Sequence, residues 1–115
     1  MNIQPRYKNI SESEKNQFNA YFLEKQGKIE NLLQKINGEA ALAKLFIELE
    51  KFASKAAYKL KIEFEVPGHY IVVSEDDHSI TEVVDLALDK FMTRFKKEMH
   101  SYEKKSDKEM RRMEE

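Results

Sequence analysis

Apolar and polar residues alternate most regularly over residues 58–66. A period of two predicts a half-buried β-strand, and the apolar side of this strand consists of Leu60, Ile62, Phe64 and Val66. Pro67-Gly68 follows and suits a tight turn, because proline fixes φ and glycine accepts a positive φ. Residues 69–74 are predicted to be the partner strand, so that 58–74 forms a hairpin.

Two other stretches carry apolar residues three and four positions apart, which predicts helices. The first helix begins at a capping box formed by Ser11 and Glu14 and ends at Asn37-Gly38. The second begins after Ser79, and the acids at 75–77 precede it, where the helix dipole favours negative charge. The predicted buried positions are Phe18, Phe22, Ile29, Leu32, Leu33 and Ile36 in the first helix and Ile80, Val84, Ala87, Leu88, Phe91, Phe95 and Tyr102 in the second.

Two more strands complete the pattern. Residues 42–52 contain an alternating, half-buried segment, and residues 1–10 suit an edge strand because Pro5 lacks an N–H donor. The predicted fold is therefore α+β in the order β-α-β-β-β-α: a four-stranded sheet with two helices packed on one face. We expect one domain over residues 1–105 and a charged, flexible C-terminal tail over residues 106–115.

Composition narrows the class of protein. The chain has 115 residues, of which 41% are hydrophobic, and it has no cysteine. It therefore has enough apolar residues for an ordinary core, and the lack of cysteine suits a reducing compartment. No apolar run approaches the roughly 20 residues of a membrane span, and the N-terminus lacks the order of a signal peptide. These features predict a cytoplasmic protein.

Charge is distributed unevenly along a nearly neutral chain. The formal net charge is −1, although 36% of the residues are charged. Residues 62–89 contain eight acids and no lysine or arginine, whereas residues 90–112 contain nine bases and four acids. If this chain binds an anionic partner, it must use a localised surface.

A helical wheel places most of those bases on one flank of the second helix; on the first helix Lys28 and Lys35 share a flank, with Lys25 nearer the apolar face. The flank of the second helix consists of Lys90, Arg94, Lys97, Lys104, Lys105 and Lys108, while Asp85, Asp89, Glu103 and Asp107 lie opposite together with Lys96. Such a row could contact the phosphates of a nucleic acid. The alternative is a solvated helix with salt bridges at i,i+4. Whether the basic flanks of the two helices form one surface depends on the tertiary structure.

Other chemistries lack a supporting pattern. His69, His78 and His100 have no metal-ligand spacing, so no metal is predicted. No glycine-rich loop is available to hold phosphate, and no cofactor is predicted. Asp76-Asp77-His78 has no nucleophile to pair with and lies where acids are expected before a helix. We therefore expect no catalytic residues and no enzymatic activity.

Two segments carry a resemblance to a known family. AYKLKIEFEVPGHYIV at 57–72 and VVDLALDKFMTRFKK at 83–97 resemble the ribosome hibernation-promoting factor and ribosome-associated inhibitor family. The family pattern has a strand ending in V-P-G and a helix with I-D-x-x-x-D-K-L, which Val84-Asp85 and Asp89-Lys90-Phe91 follow here. The resemblance covers about residues 1–105.

The resemblance implies a fold like that of double-stranded-RNA-binding domains. It also implies binding to the small ribosomal subunit in the mRNA–tRNA channel and silencing of translation under stress. By position, Lys25 and Lys28 match basic residues of the family's first helix and Lys90 and Lys97 those of its second, while Arg94 stands where glutamine is usual. The length resembles a short form, which we expect to be monomeric.

These inferences lead to two hypotheses. The first is a ribosome-associated translation inhibitor, or hibernation factor, whose partners are the small ribosomal subunit and its rRNA, with no membrane and no small-molecule substrate. Its predicted rRNA-binding residues are Lys25, Lys28, Lys90, Arg94, Lys97, Lys104, Lys105 and Lys108. The alternative is a protein-interaction module, such as a transcription modulator, that docks a basic partner on the acidic stretch 75–89 and the exposed sheet face.

Overall fold

The computed structural model describes the backbone of residues 2–33 and 43–114 and the side chains of residues 5–31 and 43–98. The elements follow the predicted order β-α-β-β-β-α. They are β1 (Asn2–Lys8), α1 (Glu12–Leu33), β2 (Lys44–Lys51), β3 (Tyr58–Val66), β4 (His69–Asp77) and α2 (Ile80–Glu114). The predicted α+β class is confirmed.

The four strands form one mixed sheet in the order β1-β2-β3-β4. β1 pairs with β2 in parallel, and the other two pairs are antiparallel. β1 is an edge strand that contains Pro5, as predicted, and β4 is the opposite edge. Gly68 has a φ of 85° in the turn between β3 and β4, which confirms the Pro67-Gly68 hairpin.

Both helices cover the same face of the sheet. α2 packs on β3 and β4, and α1 lies beside α2. The core combines every second residue of the strands with the apolar stripes of the helices. Its fully buried large side chains are Phe18, Phe64, Phe91, Ile29, Leu45, Ile47, Leu49, Leu60, Ile62, Val66, Val73 and Val83. In the part of the chain that the structure describes, no helix is both long enough and apolar enough to cross a membrane.

β4 extends three residues further than predicted. It continues through the acids at 75–77 to Asp77, and these acids precede α2 as predicted. The reason is the length of β3: its register pairs Lys59 with Asp76 and Tyr58 with Asp77, so the ladder continues to the start of β3. Opposite charges on directly facing strand positions favour this extension. The predicted N-cap is confirmed, since the carbonyl of Ser79 accepts from the amide of Val83 at 2.9 Å.

Some predictions fall outside the described residues. These are the helix end at Asn37-Gly38 and the burial of Leu32, Leu33, Ile36 and Tyr102. The backbone of α2 continues as helix to Glu114 and so includes most of the segment 106–115. The flexibility of that segment stays a prediction.

The predicted capping box opens α1. The amide of Ser11 donates to Glu14 Oε1 at 2.9 Å, and the amide of Glu14 donates to Ser11 Oγ at 3.2 Å. The hydroxyl of Tyr58, at the start of β3, also donates to the Glu14 carboxylate, and Lys51 Nζ lies 3.5 Å from it. The bonds from Tyr58 and Ser11, assisted by the Lys51 charge, lower the Glu14 pKa to about 2. One carboxylate therefore ties the start of α1 to β2 and β3.

Acid is expected to destabilise the protein through Glu14. Because the folded pKa lies below the ordinary value of 4.5, this contribution is complete above about pH 5 and is lost as pH falls towards 2. Glu14→Gln should remove about 1–3 kcal/mol from the free energy of unfolding at pH 7 and flatten its decline between about pH 5 and pH 2, measured by urea titration. Glu12→Gln, an exposed change in the same turn, is the control. Equal acid sensitivity in Glu14→Gln and the unsubstituted protein would contradict the assignment.

Candidate nucleic-acid interface

Three basic residues of α2, which we call the β4-side basic row, lie along the edge of the sheet: Lys90, Arg94 and Lys97. Arg94 Nη1 donates to the backbone carbonyl of Val72 at 2.9 Å. Lys90 Nζ lies 3.3 Å from the carbonyl of Ser74 and 3.2 Å from the carboxylate of Glu75. Two residues of the row, Arg94 and Lys90, are thus held against the outer edge of β4.

These contacts offset the positive charges of the three side chains to different extents. Glu75 offsets the charge of Lys90. Arg94 bonds to a neutral carbonyl and retains its full positive charge. Lys97 is exposed, and no ion pair of Lys97 is found within the described residues. Arg94 and Lys97 therefore supply most of the positive potential at this edge.

Lys25 lies on the other side of α2. Its Nζ is 4.0 Å from Asp85 Oδ1, and it sits 5.4 Å from the centre of the Tyr21 ring. The Tyr21 hydroxyl donates to both oxygens of Asp85, at 2.7 and 2.8 Å. That hydrogen bond raises the pKa of the Tyr21 hydroxyl, which stays protonated at neutral pH. Asp85 thus joins α2 to α1 and faces away from the β4-side basic row.

The structure therefore separates the predicted binding residues into two groups. Lys90, Arg94 and Lys97 border β4, whereas Lys25 borders the contact between the helices. Lys28 is exposed on α1, one turn beyond Lys25. The side chains of Lys104, Lys105 and Lys108 lie outside the described residues. The basic flanks of the two helices do not merge within the part of the chain whose side chains are described.

Most acids of the stretch 75–89 have partners within the protein. Asp76 lies 3.9 Å from Lys55, in addition to the Glu75 and Asp85 pairs above. Asp77 Oδ1 accepts from the backbone amides of His78 at 2.7 Å and Ser79 at 3.4 Å. A hydrogen bond with Glu82, together with those amides, lowers the Asp77 pKa. Partners within the protein offset part of the negative charge of this stretch, while Asp76 and Asp85 stay 58% and 50% exposed.

The uncovered face of the sheet is neutral and pairs its own charges. The strand register places Glu48 between Arg6 and Lys61, and Glu65 opposite Lys44. Across all four strands, five bases meet five acids: Arg6, Lys8, Lys44, Lys59 and Lys61 against Glu48, Glu50, Glu63, Glu65 and Asp76. Because opposite charges are neighbours, the field of this face cancels at short range. The sheet face therefore carries no net charge that would favour a partner of one sign.

The described residues form no group of three or more His, Asp or Glu side chains able to hold a metal ion. The predicted rRNA-binding residues were all found from helical periodicity and family position. Tyr70 is not among the predicted binding residues, but its side chain is 58% exposed and it lines a groove with Arg94 and Lys97 at the edge of β4. The sequence does show an aromatic residue on the polar side of a predicted strand. It does not show that this strand forms an edge of the sheet.

Comparison with known proteins supports the fold. No family model matches the chain, and neither does any curated protein. A ribosomal subunit interface protein from Coxiella burnetii is similar in structure, with a TM-score of 0.54 and 19% identity over 84% of this chain and 96% of that one. The N-terminal domain of Protein Y from Thermus thermophilus has a TM-score of 0.50 and 20% identity over 84% and 98%. At this identity the likeness shows a shared fold, and the fold implied by the family resemblance is confirmed.

Proposed function

We propose that this protein is a non-enzymatic, ribosome-associated factor that binds the small ribosomal subunit and inhibits translation. The observation that carries the proposal is the joint presence of a ribosomal-interface-protein fold and a row of cations along β4. The fold alone is weak evidence, because one fold can host several functions. The row adds a surface of the required charge on a chain whose net charge is only −1.

The proposed mechanism is occlusion of the mRNA–tRNA channel, held by electrostatic contacts to rRNA. Arg94 and Lys97 contact phosphates, and Lys90 contributes less because Glu75 offsets its charge. Contacts of this kind position a protein on RNA without reading its bases. The protein acts as a cytoplasmic monomer and idles ribosomes under stress, and it needs no cofactor because it makes and breaks no covalent bond.

The remaining predicted residues form a second contact region in this proposal. Lys28 extends towards solvent from α1, and Lys25 is oriented by Asp85 and Tyr21. Lys104, Lys105 and Lys108, whose side chains lie outside the described residues, stay predicted contacts from helical periodicity. The alternative, docking of a basic partner on the acidic stretch and the sheet face, has less support, because Glu75, Asp76 and Asp85 already have lysine partners within the protein. We therefore do not propose it.

Co-sedimentation with separated ribosomal subunits tests the proposal. We expect the protein to sediment with small subunits at low salt. The three contacts of the β4-side basic row alone should make its affinity fall roughly 20- to 40-fold between about 50 and about 200 mM monovalent salt, because bound counterions are released on association, and contacts from the second region should steepen this fall. Saturating protein should also stop translation in a purified system in proportion to the fraction of small subunits bound.

Two controls define what the experiment decides. Preloading small subunits with mRNA and tRNA should compete with the protein if both occupy the same channel. Binding to large subunits alone would contradict the small-subunit assignment, and absence from both subunits at low salt would contradict ribosome association as a whole. Binding that does not change with salt would show that the cations are not the contact.

A further inference from the structure

A small groove crosses the outer edge of β4. Tyr70, Ile71 and Val72 form its strand side, and Arg94, Lys97 and Glu98 form its helix side. Its volume of about 210 Å³ is below the roughly 300 Å³ at which pockets for drug-sized ligands begin. The groove therefore has room for a group about the size of one aromatic ring system.

A peptide strand does not fit this edge. An added strand would need the outward carbonyls of β4 as hydrogen-bond acceptors. The carbonyl of Val72 is already bonded to Arg94, and that of Ser74 is close to Lys90 Nζ. The cations of α2 thus protect the edge from strand pairing, and the ligand of the groove must be recognised by side chains.

Tyr70 offers an aromatic ring that is held in position. Its side chain is 58% exposed, and its hydroxyl donates to Glu63 Oε2 at 3.1 Å. Glu63 is in turn held by Lys61 at 2.8 Å. The ring lies on the uncovered face of the sheet with its polar end held by Glu63, and Tyr70 lines the groove that passes around the edge of β4 to the cations of α2. Proteins that bind single-stranded RNA stack bases on aromatic rings of this kind.

The helix side supplies donors for a phosphate. A guanidinium carries five N–H donors, and Arg94 uses one nitrogen on Val72, so donors remain for an anion. Lys97, three residues further along α2, adds an exposed ammonium. Glu98 is the acidic side chain that lines the groove, and its Oε1 lies 3.7 Å from His69 Nδ1. The carboxylate of Glu98 repels a phosphate, so the phosphate is favoured on the Lys97 side of the groove. The same carboxylate accepts hydrogen bonds from N–H groups, so the edge of a base is favoured on the Glu98 side.

We propose that this groove binds one unpaired RNA nucleotide, with its base on Tyr70 and its phosphate on Arg94 and Lys97. The inference rests on the proposed function, because it identifies the kind of rRNA element that the β4-side basic row contacts. A base inside a duplex cannot reach the ring, since its faces are covered by neighbouring base pairs. The groove thus directs the protein to single-stranded or bulged rRNA.

Substitution of Tyr70 tests the proposal. Tyr70→Phe keeps the ring and Tyr70→Leu removes it. Stacking is worth about 1–3 kcal/mol per base, so Tyr70→Leu should weaken binding of a single-stranded RNA hexamer roughly 5- to 150-fold, whereas Tyr70→Phe should stay within about threefold of the unsubstituted protein. A hexamer that is abasic at every position should bind the unsubstituted protein about as weakly as the intact hexamer binds Tyr70→Leu, and it should show no further loss with Tyr70→Leu. Phe46→Leu, an exposed aromatic change on the same sheet face, should have no effect.

The outcomes separate this inference from the proposed function. Full-strength binding of the hexamer by Tyr70→Leu would overturn the nucleotide site, as would equal binding of a duplex of the same sequence. If the unsubstituted protein sediments with small subunits and Tyr70→Leu does so equally at every salt concentration, the ribosome proposal stands and the groove assignment falls. If the hexamer is bound through Tyr70 but no ribosomal subunit is, the proposed function falls and the nucleotide site stands.

Discussion

Combining Arg94→Gln with Lys97→Glu is expected to lower affinity for small ribosomal subunits by roughly a hundredfold at low salt. The two substitutions remove the two cations of the β4-side basic row that have no anionic partner within the described residues. Glutamine at position 94 retains an N–H donor for the carbonyl of Val72. The outer edge of β4 should therefore stay protected from strand pairing. The dependence of log affinity on log salt should become shallower by about two, measured by sedimentation across a salt series.

A matched pair of single substitutions controls for net charge. Lys97→Glu and Lys96→Glu change the total charge equally, but adjacent helix positions are 100° apart, and Lys96 lies on the flank of Asp85 and Asp89. We expect about a tenfold loss for Lys97→Glu and less than about a twofold loss for Lys96→Glu. Equal losses would show that binding follows net charge and not this row. Unchanged thermal unfolding of each variant establishes that the fold is intact.

Replacing Phe91 by alanine is expected to destabilise the protein by about 3–5 kcal/mol. The Phe91 side chain is fully buried, and its ring centre lies 5.7 Å from that of Phe64 and 5.9 Å from that of Phe95. These rings join α2 to β3, so their loss opens a cavity between helix and sheet. Typical domains have only about 5–15 kcal/mol of stability, so Phe91→Ala should shift the midpoint of urea unfolding strongly or prevent folding.

Because Phe91→Ala could prevent folding, substitutions of two leucines in α2 test the same packing in variants that fold. Leu88 is 3% exposed, and Leu86, two residues earlier, is 43% exposed. Leu88→Ala should lower the free energy of unfolding by about 2–4 kcal/mol, and Leu86→Ala by less than about 1 kcal/mol. Similar losses at the two positions would contradict the orientation of α2 on the sheet. Because Leu86 lies outside the core, its variant is also suitable for binding measurements.

The sequence determined the elements, their order and most of the core, because periodicity is a local property. Alternation in 58–66 predicted β3, and the Ser11–Glu14 spacing predicted the capping box that opens α1. The second helix was predicted to bury Phe91 and Phe95, and both are buried. The predicted end of β4 at Ser74 was three residues short, because pairing with the whole of β3 extends the strand to Asp77.

Only the tertiary structure decided how the charges combine. A helical wheel gives the angle between side chains of one helix but not which neighbour each flank meets, so the sequence could not place Lys25 beside Asp85 or Arg94 beside Val72. Cross-strand register likewise decided that the charges of the sheet face cancel one another. The basic row was therefore a property of the sequence, whereas its partners at the edge of β4, and the groove containing Tyr70, follow from long-range packing of α2 on the sheet.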